Sequence, residues 1–179
     1  FPFDHFLCTG QYYVDLLSPF SKRTKFLVSG VIDNFKLDET KHINKSKSIL
    51  FLLEDSATVV SKEESDLMVN LCIETKRRFP DLNITARPHP DPDILIKEDL
   101  INLLKGCGIV VDFTANPRTT VSLNKFVVGH ASSLMIEALE YDCLPVFMEI
   151  GIKQLQPDLL FLSAAMKFET KKEWFILLD

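Results

Sequence analysis

The sequence predicts an α/β fold, a Rossmann-like doubly wound parallel sheet with helices on both faces. Short apolar runs rich in β-branched and aromatic residues alternate along the chain with segments of helical period. Such alternation produces right-handed crossovers between parallel strands. The run Ile49–Leu53 is apolar at every position, which is typical of a central strand buried on both sides.

Seven apolar runs predict the strands. In chain order they are His5–Cys8, Lys25–Ser29, Ile49–Leu53, Asn83–Arg87, Ile109–Asp112, Phe126–Gly129 and Leu144–Met148. The clearest helical period lies between the third and fourth runs, at Ser61–Phe79. Ser61 and Glu64 have the spacing of a capping box, and Pro80 ends this helix. Further helical patterns occur at about Ile96–Leu104, from Ser132 to about Tyr141, at Leu159–Met166 and at Lys171–Leu178.

One polar segment, Leu37–Ser48, predicts an exposed and mobile linker because it has few apolar residues to bury. It separates a lead-in strand–helix–strand with the linker, residues 1–45, from a Rossmann-like lobe, residues 46–179. The chain starts at Phe1 rather than Met and ends in an apolar segment. We therefore expect it to be a piece of a larger protein.

Composition excludes several function classes. The chain has 20 Lys and Arg against 25 Asp and Glu, a net charge of −5, whereas nucleic-acid-binding domains are usually basic. We therefore expect no nucleic-acid partner. No apolar run approaches the length of a transmembrane helix, and no signal-like segment opens the chain. The four cysteines form no CxxC pair, which predicts buried thiols of a reducing compartment rather than disulfides or a metal site.

The first candidate site motif is Arg87-Pro88-His89-Pro90, at the end of a predicted strand. Two prolines stiffen the turn, and an arginine and a histidine presented together suit a phosphate oxygen. The structural alternative is a stiff loop whose Arg87 and His89 face water.

The second candidate motif is His130-Ala131-Ser132-Ser133, with Glu137 one helical turn later. The serines can cap a helix, and their hydroxyls and the helix amides can also bind an anion. Glu137 is placed to accept hydrogen bonds from sugar or ribose hydroxyls. The alternative is plain capping with a solvated glutamate.

A third and weaker candidate is Glu54-Asp55-Ser56, after the apolar strand Ile49–Leu53. Adjacent acids at a strand end can supply a general base, or they can cap the helix that follows.

Together these motifs resemble the carboxyl-terminal, nucleotide-sugar-binding lobe of two-lobe GT-B glycosyltransferases. The resemblance is greatest to bacterial surface-polysaccharide enzymes: capsule transferases, sialyltransferases and CDP-glycerol glycerophosphotransferases. The motifs that carry it lie in order over about residues 25–148. They are Val28-Ser-Gly30-Val-Ile-Asp33, Arg87-Pro-His89-Pro90, and Gly129-His-Ala-Ser132-Ser133-x-x-x-Glu137-Ala138 leading into Cys143-Leu-Pro145-Val.

The resemblance implies that His89, Ser132 and Ser133 hold the phosphate of a CMP-, CDP- or UDP-linked donor, with Arg87 and His130 beside them. It implies no metal and no cofactor other than the donor substrate. An amino-terminal acceptor-binding lobe would be the missing partner. The full protein would be cytoplasmic, with peripheral association at the inner face of the membrane. The acidic motif of such sialyltransferases is matched only in part, since Ser56 stands where a glycine is expected.

Two alternatives remain open from the sequence. The related UDP-N-acetylglucosamine 2-epimerases have the same architecture, but they carry Ser-Gly-Gly where this chain has Ser132-Ser133 without a glycine pair. A non-catalytic nucleotide- or partner-binding α/β module is the alternative from a different functional class.

Overall fold

A computed structural model describes residues 4–8, 14–15, 17–20, 22–28, 48–53, 61–89, 98–130, 132–149 and 166–179. The chain divides into two compact units, Phe1–Lys41 and His42–Asp179. The first unit contains two parallel strands, β1 (His5–Cys8) and β2 (Lys25–Val28), with His5 opposite Lys25. Residues 37–47 of the predicted linker lie outside the described residues, and its last residue, Ser48, belongs to a strand of the second unit.

The second unit is built on one six-stranded sheet in which every paired strand is parallel. The sheet order is β5-β4-β3-β6-β7-β8. The strands are β3 (Ser48–Leu53), β4 (Asn83–Pro88), β5 (Val110–Val111), β6 (Phe126–Gly129), β7 (Leu144–Met148) and β8 (Met166–Phe168). The predicted parallel sheet is confirmed. The prediction of a helix over Leu159–Met166 is wrong at its described end, since Met166 opens β8.

The first four helices described in this unit connect successive strands, and the fifth follows β8. They are α1 (Lys62–Arg78), α2 (Glu98–Gly106), α3 (Pro117–Ser122), α4 (Ser133–Glu137, continuing as a 3-10 turn over Ala138–Tyr141) and α5 (Lys171–Leu178). The predicted capping box at the start of α1 is confirmed, because the Ser61 hydroxyl accepts from the Glu64 amide and the Glu64 carboxylate accepts from the Ser61 amide. Helix α3 was not predicted, because six residues are too few to show a helical period.

Two apolar cores cover opposite faces of the sheet, and β3 contributes alternate residues to each. Ile49, Phe51 and Leu53 pack with the apolar side of α1 and with Trp174 of α5. Leu50 and Leu52 pack on the other face, against α3 and α4. Since successive side chains of a strand point to opposite faces, an all-apolar β3 requires helices on both sides. The doubly wound architecture predicted from that run is therefore confirmed.

The strand order reverses at β3, and this reversal positions the site. From β3 the chain proceeds outward to β4 and β5, then returns to place β6 on the other side of β3. The crossovers on the two sides leave in opposite directions, which opens a crevice at the carboxyl ends of the strands. Among the described residues, no helix has the length and apolar character needed to cross a membrane.

Candidate functional site

A cleft of about 360 Å³ opens at the carboxyl edge of the sheet, where the strand order reverses. Its floor comes from the end of β3, and its walls come from the β4 turn, from α3 and from α4. The lining residues are Leu52, Leu53, Arg87, Pro88, His89, Ala115, Pro117, Arg118, Ser132, Leu134 and Glu137. The structure thus brings together four of the predicted site residues, Arg87, His89, Ser132 and Glu137.

Arg87 lines this cleft, but its guanidinium is occupied by protein partners. It forms a buried ion pair with Asp112, which follows β5, and its Nη2 donates to the Thr114 carbonyl at 2.8 Å. A third bond joins Arg87 Nη1 to the Thr114 hydroxyl at 3.3 Å. The alternative that this arginine simply faces water is wrong, because the guanidinium is buried and bonded to Asp112 and Thr114.

Asp112 is the centre of this buried polar cluster. Its carboxylate accepts from the Thr120 hydroxyl at 2.5 Å and from the Thr114 amide at 3.0 Å, besides Arg87. Burial by itself favours the neutral acid, but these hydrogen bonds outweigh it and hold the pKa of Asp112 below its ordinary value. The cluster therefore contains an ionised carboxylate that neutralises Arg87.

Arg118 and Glu137 form a second ion pair, which lines the cleft. Arg118 Nε donates to Glu137 Oε2 at 2.9 Å, joining the first turn of α3 to the end of α4. Unlike the buried Arg87 pair, these side chains are 30% and 23% exposed. The pair places one cation and one anion at the surface of the cleft.

Ser132 lines the cleft and precedes α4. Its hydroxyl accepts from the Leu134 amide at 3.3 Å, and its carbonyl accepts from the Met135 amide at 3.0 Å. The predicted capping role of Ser132 is confirmed. Gly129, which ends β6, lets this segment approach closely: a Cβ there would lie 3.0 Å from Met135 Sδ. The space that a side chain at Gly129 would occupy is therefore filled by Met135 and Leu52.

His130 departs from its prediction, because the structure does not place it on the cleft. Its side chain is only 2% exposed, and neither ring nitrogen has a hydrogen-bond partner among the described residues. Burial lowers the pKa of His130, and the negative charge of Glu64 opposes this with a smaller effect. A neutral imidazole inside the fold is unsuited to holding a phosphate.

Several predicted residues lie outside the described part of the chain. Glu54, Asp55, Ser56 and Pro90 are among them, as is the side chain of Ser133. Their predicted roles stay predictions. In the part of the chain that the structure describes, no group of three or more His, Cys, Asp or Glu side chains could hold a metal ion.

Sequence reasoning missed Arg118 as a cleft residue. The signal was present, because Asn116-Pro117 is a helix-start pattern: the Asn116 side chain accepts from the Arg118 amide and Pro117 occupies the first turn. A helix start located there would have placed Arg118 near the carboxyl edge of the sheet.

Three solved structures resemble this chain in fold. The pneumococcal O-GlcNAc transferase GtfA in complex with UDP and GlcNAc has a TM-score of 0.55 and 14% identity, covering 82% of this chain and 30% of that chain. TarM has a TM-score of 0.57 and 13% identity, covering 98% of this chain and 36% of that chain. The GtfA/B complex has a TM-score of 0.53 and 12% identity, covering 98% of this chain and 39% of that chain.

The fold is that of a GT-B glycosyltransferase lobe. The predicted GT-B-type architecture is therefore confirmed at the level of fold. The chain spans 30% to 39% of the length of these three proteins. No protein-family model matches the sequence, and no curated protein is significantly similar to it.

Proposed function

We propose that this chain is the donor-binding lobe of a transferase that uses a nucleotide-activated sugar or glycerol phosphate. The observation that carries the proposal is the cleft at the strand-order reversal, which joins His89, Ser132 and Glu137 in a GT-B-type lobe. Ligands of open α/β sheets bind in this crevice. GtfA, one of the structural neighbours, was solved with UDP and GlcNAc bound.

In this proposal the phosphate of a CMP-, CDP- or UDP-linked donor lies between the Arg87–His89 turn and Ser132. The hydroxyl of Ser132 accepts from Leu134, so its own hydrogen can point to a phosphate oxygen. His89 lines the same cleft, and its imidazole is assigned to a phosphate oxygen of the donor. Glu137 accepts from a ribose or sugar hydroxyl, and the Ser133 hydroxyl is assigned to the same phosphate.

The lobe would contribute to catalysis by stabilising the negative charge that develops on the leaving phosphate. Preorganised donors aimed at developing charge are usually the largest single source of rate enhancement. The proposal assigns no metal or other cofactor to this step. An amino-terminal lobe would bind the acceptor and complete the active site. The biological setting implied by the sequence resemblance is bacterial surface-polysaccharide synthesis, in the cytoplasm at the inner face of the membrane.

Calorimetric titration of the chain with CMP, CDP, UDP and GDP tests the proposal. We expect saturable one-site binding of at least one of these nucleotides, with cytidine or uridine alone binding much more weakly because the phosphate contacts are lost. Absence of saturable binding for the whole panel would contradict the proposed function.

Binding does not separate a transferase from a non-catalytic nucleotide-binding module, because one fold hosts many functions. Turnover measured with the acceptor-binding lobe present makes that distinction. Transfer from the nucleotide-linked donor to an acceptor is expected for a transferase, whereas release of a free 2-epimerised sugar would identify the epimerase alternative.

A further inference from the structure

A largely buried polar cluster joins two segments that line the cleft. We call Arg87, Asp112, Thr114 and Thr120 the Asp112 cluster, because the other three residues all bond to Asp112. Arg87 lies near the end of β4, and Thr120 lies in α3. Asp112 and Thr114 lie between β5 and α3. The cluster therefore links the turn after β4 to the segment that carries α3.

The carboxylate of Asp112 makes this link with both of its oxygens. Oδ1 accepts from the Thr114 amide at 3.0 Å. Oδ2 accepts from the Thr120 hydroxyl at 2.5 Å and also forms the ion pair with Arg87. The Asp112 amide donates to the Ala86 carbonyl of β4 at 2.9 Å, which fixes the carboxylate relative to that strand. Because Arg87 and Thr120 share one oxygen, a change at either residue is felt by the other.

Two walls of the cleft adjoin this cluster in sequence. The lining residues concerned are Pro88, His89, Ala115, Pro117 and Arg118. The first two follow Arg87 directly, whereas the other three lie between Thr114 and Thr120. Prolines hold the backbone in a narrow range of φ, so each wall follows the position of the cluster residue beside it. The separation of the two walls is therefore set by bonds within the Asp112 cluster.

Stability alone does not account for a charged cluster at this place. An ion pair buried in a protein loses hydration, and apolar residues of similar volume are often at least as stabilising. The opposite face of the sheet has an uncharged arrangement, in which Trp174 Nε1 donates to the Thr75 hydroxyl at 2.8 Å inside an apolar core. A guanidinium and a carboxylate instead provide strongly directional bonds. Such bonds suit a cluster that holds two segments at a defined separation.

We propose that Asp112 and Thr120 are positioning residues of the nucleotide cleft, which hold the Arg87–His89 turn at a fixed separation from α3. The inference rests on the proposed function. Neither residue is among the described residues that line the cleft, so they act through Arg87 and α3 rather than by touching the ligand. Walls that are already ordered lose less conformational freedom on binding, which raises affinity. Donor affinity thus depends on a threonine hydroxyl that the donor does not contact.

The test removes this hydroxyl without changing the shape of the side chain. Thr120→Val is nearly isosteric, and Thr120→Ser is the conservative variant that keeps the hydroxyl. The matched control is Thr75→Val, which removes another buried threonine hydroxyl from the opposite core. Calorimetry of the full chain with the nucleotide of the CMP, CDP, UDP and GDP panel that binds most tightly measures affinity. Thermal unfolding followed by circular dichroism measures stability.

The two valine variants should agree in stability and differ in affinity. Each should lower the Tm by about 3 °C, since each loses about one buried hydrogen bond. Thr120→Val should weaken nucleotide binding about fivefold, the equivalent of one hydrogen bond of the cluster. Thr120→Ser should bind within about twofold of the parent, because its hydroxyl still reaches Asp112. Thr75→Val should bind the nucleotide as the parent does.

Hydrogen exchange measured without nucleotide tests the link between the two walls directly. Thr120→Val should accelerate exchange of the Thr114 amide, which bonds to Asp112. It should also accelerate exchange of the His89 amide, which donates to the Leu53 carbonyl at 3.0 Å in the other wall. Local opening of a segment is reported by its own amides, so Thr75→Val should leave both rates unchanged.

Each other outcome overturns a stated part. If Thr120→Val binds the nucleotide as the parent does, the positioning role is wrong while the proposed function stands. If Thr75→Val weakens binding equally, the loss follows stability and the positioning role is again wrong. If exchange of the His89 amide is unchanged in Thr120→Val, the cluster does not link the two walls. If the parent binds no nucleotide of the panel, the proposed function and this inference are both wrong.

Discussion

Arg87 and Asp112 form a buried ion pair between the ends of neighbouring strands β4 and β5. Both side chains form further hydrogen bonds: Thr114 accepts from Arg87, and Thr114 and Thr120 donate to Asp112. The cluster holds the turn that carries His89 to the segment that leads into α3. Its integrity should therefore matter to the stability of the fold and to the shape of the cleft.

Asp112→Asn should lower the free energy of unfolding by about 3 kcal/mol, because it leaves the Arg87 charge buried without a counter-charge. Urea denaturation followed by circular dichroism measures this change. Glu74→Gln is the matched control: it breaks the exposed pair that Glu74 forms with Lys171, and it should cost less than about 1 kcal/mol. Equal losses for the two variants would contradict a stabilising role for the buried pair.

The carboxylate of Asp112 also predicts that the free energy of unfolding depends on pH in the acidic range. Because the pKa of Asp112 is lower in the folded state than its ordinary value of 3.8, the folded protein binds this proton less readily than the unfolded chain. The stability from Asp112 is complete above that ordinary value and is lost as pH falls through the folded pKa. Unfolding curves between pH 5 and 2.5, compared with Asp112→Asn, should show a shallower decline for the variant.

His130 predicts that the free energy of unfolding also depends on pH in a second, separate range. Burial lowers its pKa below the ordinary value of 6.5, with Glu64 opposing the effect, so the unfolded chain takes up this proton first as pH falls. The free energy of unfolding should therefore decrease as the pH falls through 6.5 toward the folded pKa of His130.

Replacement by an apolar residue tests this assignment. His130→Leu should flatten the decline between pH 7.5 and 5.5, while His89→Gln, at an exposed position, should retain it. An unchanged decline in His130→Leu would show that another group titrates in this window.

The serines at the start of α4 should matter more for nucleotide affinity than for folding. Ser132→Ala with Ser133→Ala removes one observed cap, which costs about 1 kcal/mol and leaves the protein folded. The double variant should nevertheless bind a nucleoside mono- or diphosphate at least about tenfold more weakly, equivalent to roughly 1.4 kcal/mol.

Two acid variants serve as controls for the serines. Glu54→Gln and Asp55→Asn should change nucleotide affinity far less, because a carboxylate does not favour a neighbouring anion. Calorimetry with CMP, CDP and UDP provides the comparison. Parent-like binding by the serine variant, together with a loss in the acid variants, would contradict the assignment of the phosphate to the serines.

Much of the fold could be predicted because its signals are local. The all-apolar run at Ile49–Leu53 predicts a strand covered on both faces, and the structure has two cores that share β3. The Ser61–Glu64 capping box lies within four consecutive residues, so its geometry does not depend on the rest of the chain. Strand β8 was not predicted, because its three residues, Met166–Phe168, are too few to show a period-two pattern.

The sequence by itself therefore determined most strands of the sheet, its main helices and the edge at which the site motifs gather, since these follow from hydrophobic period and cap spacing. Only the tertiary structure decided what each site residue does there. Arg87 binds Asp112, which lies 25 residues later in the sequence, and Arg118 binds Glu137, which lies 19 residues later. Strand order and helix placement bring the members of each pair together. The same packing buries His130 inside the fold and leaves Arg118 and Glu137 partly exposed on the cleft. Burial and ion pairing depend on distant parts of the chain, so a motif's residue types could not reveal how each charged side chain is buried and paired.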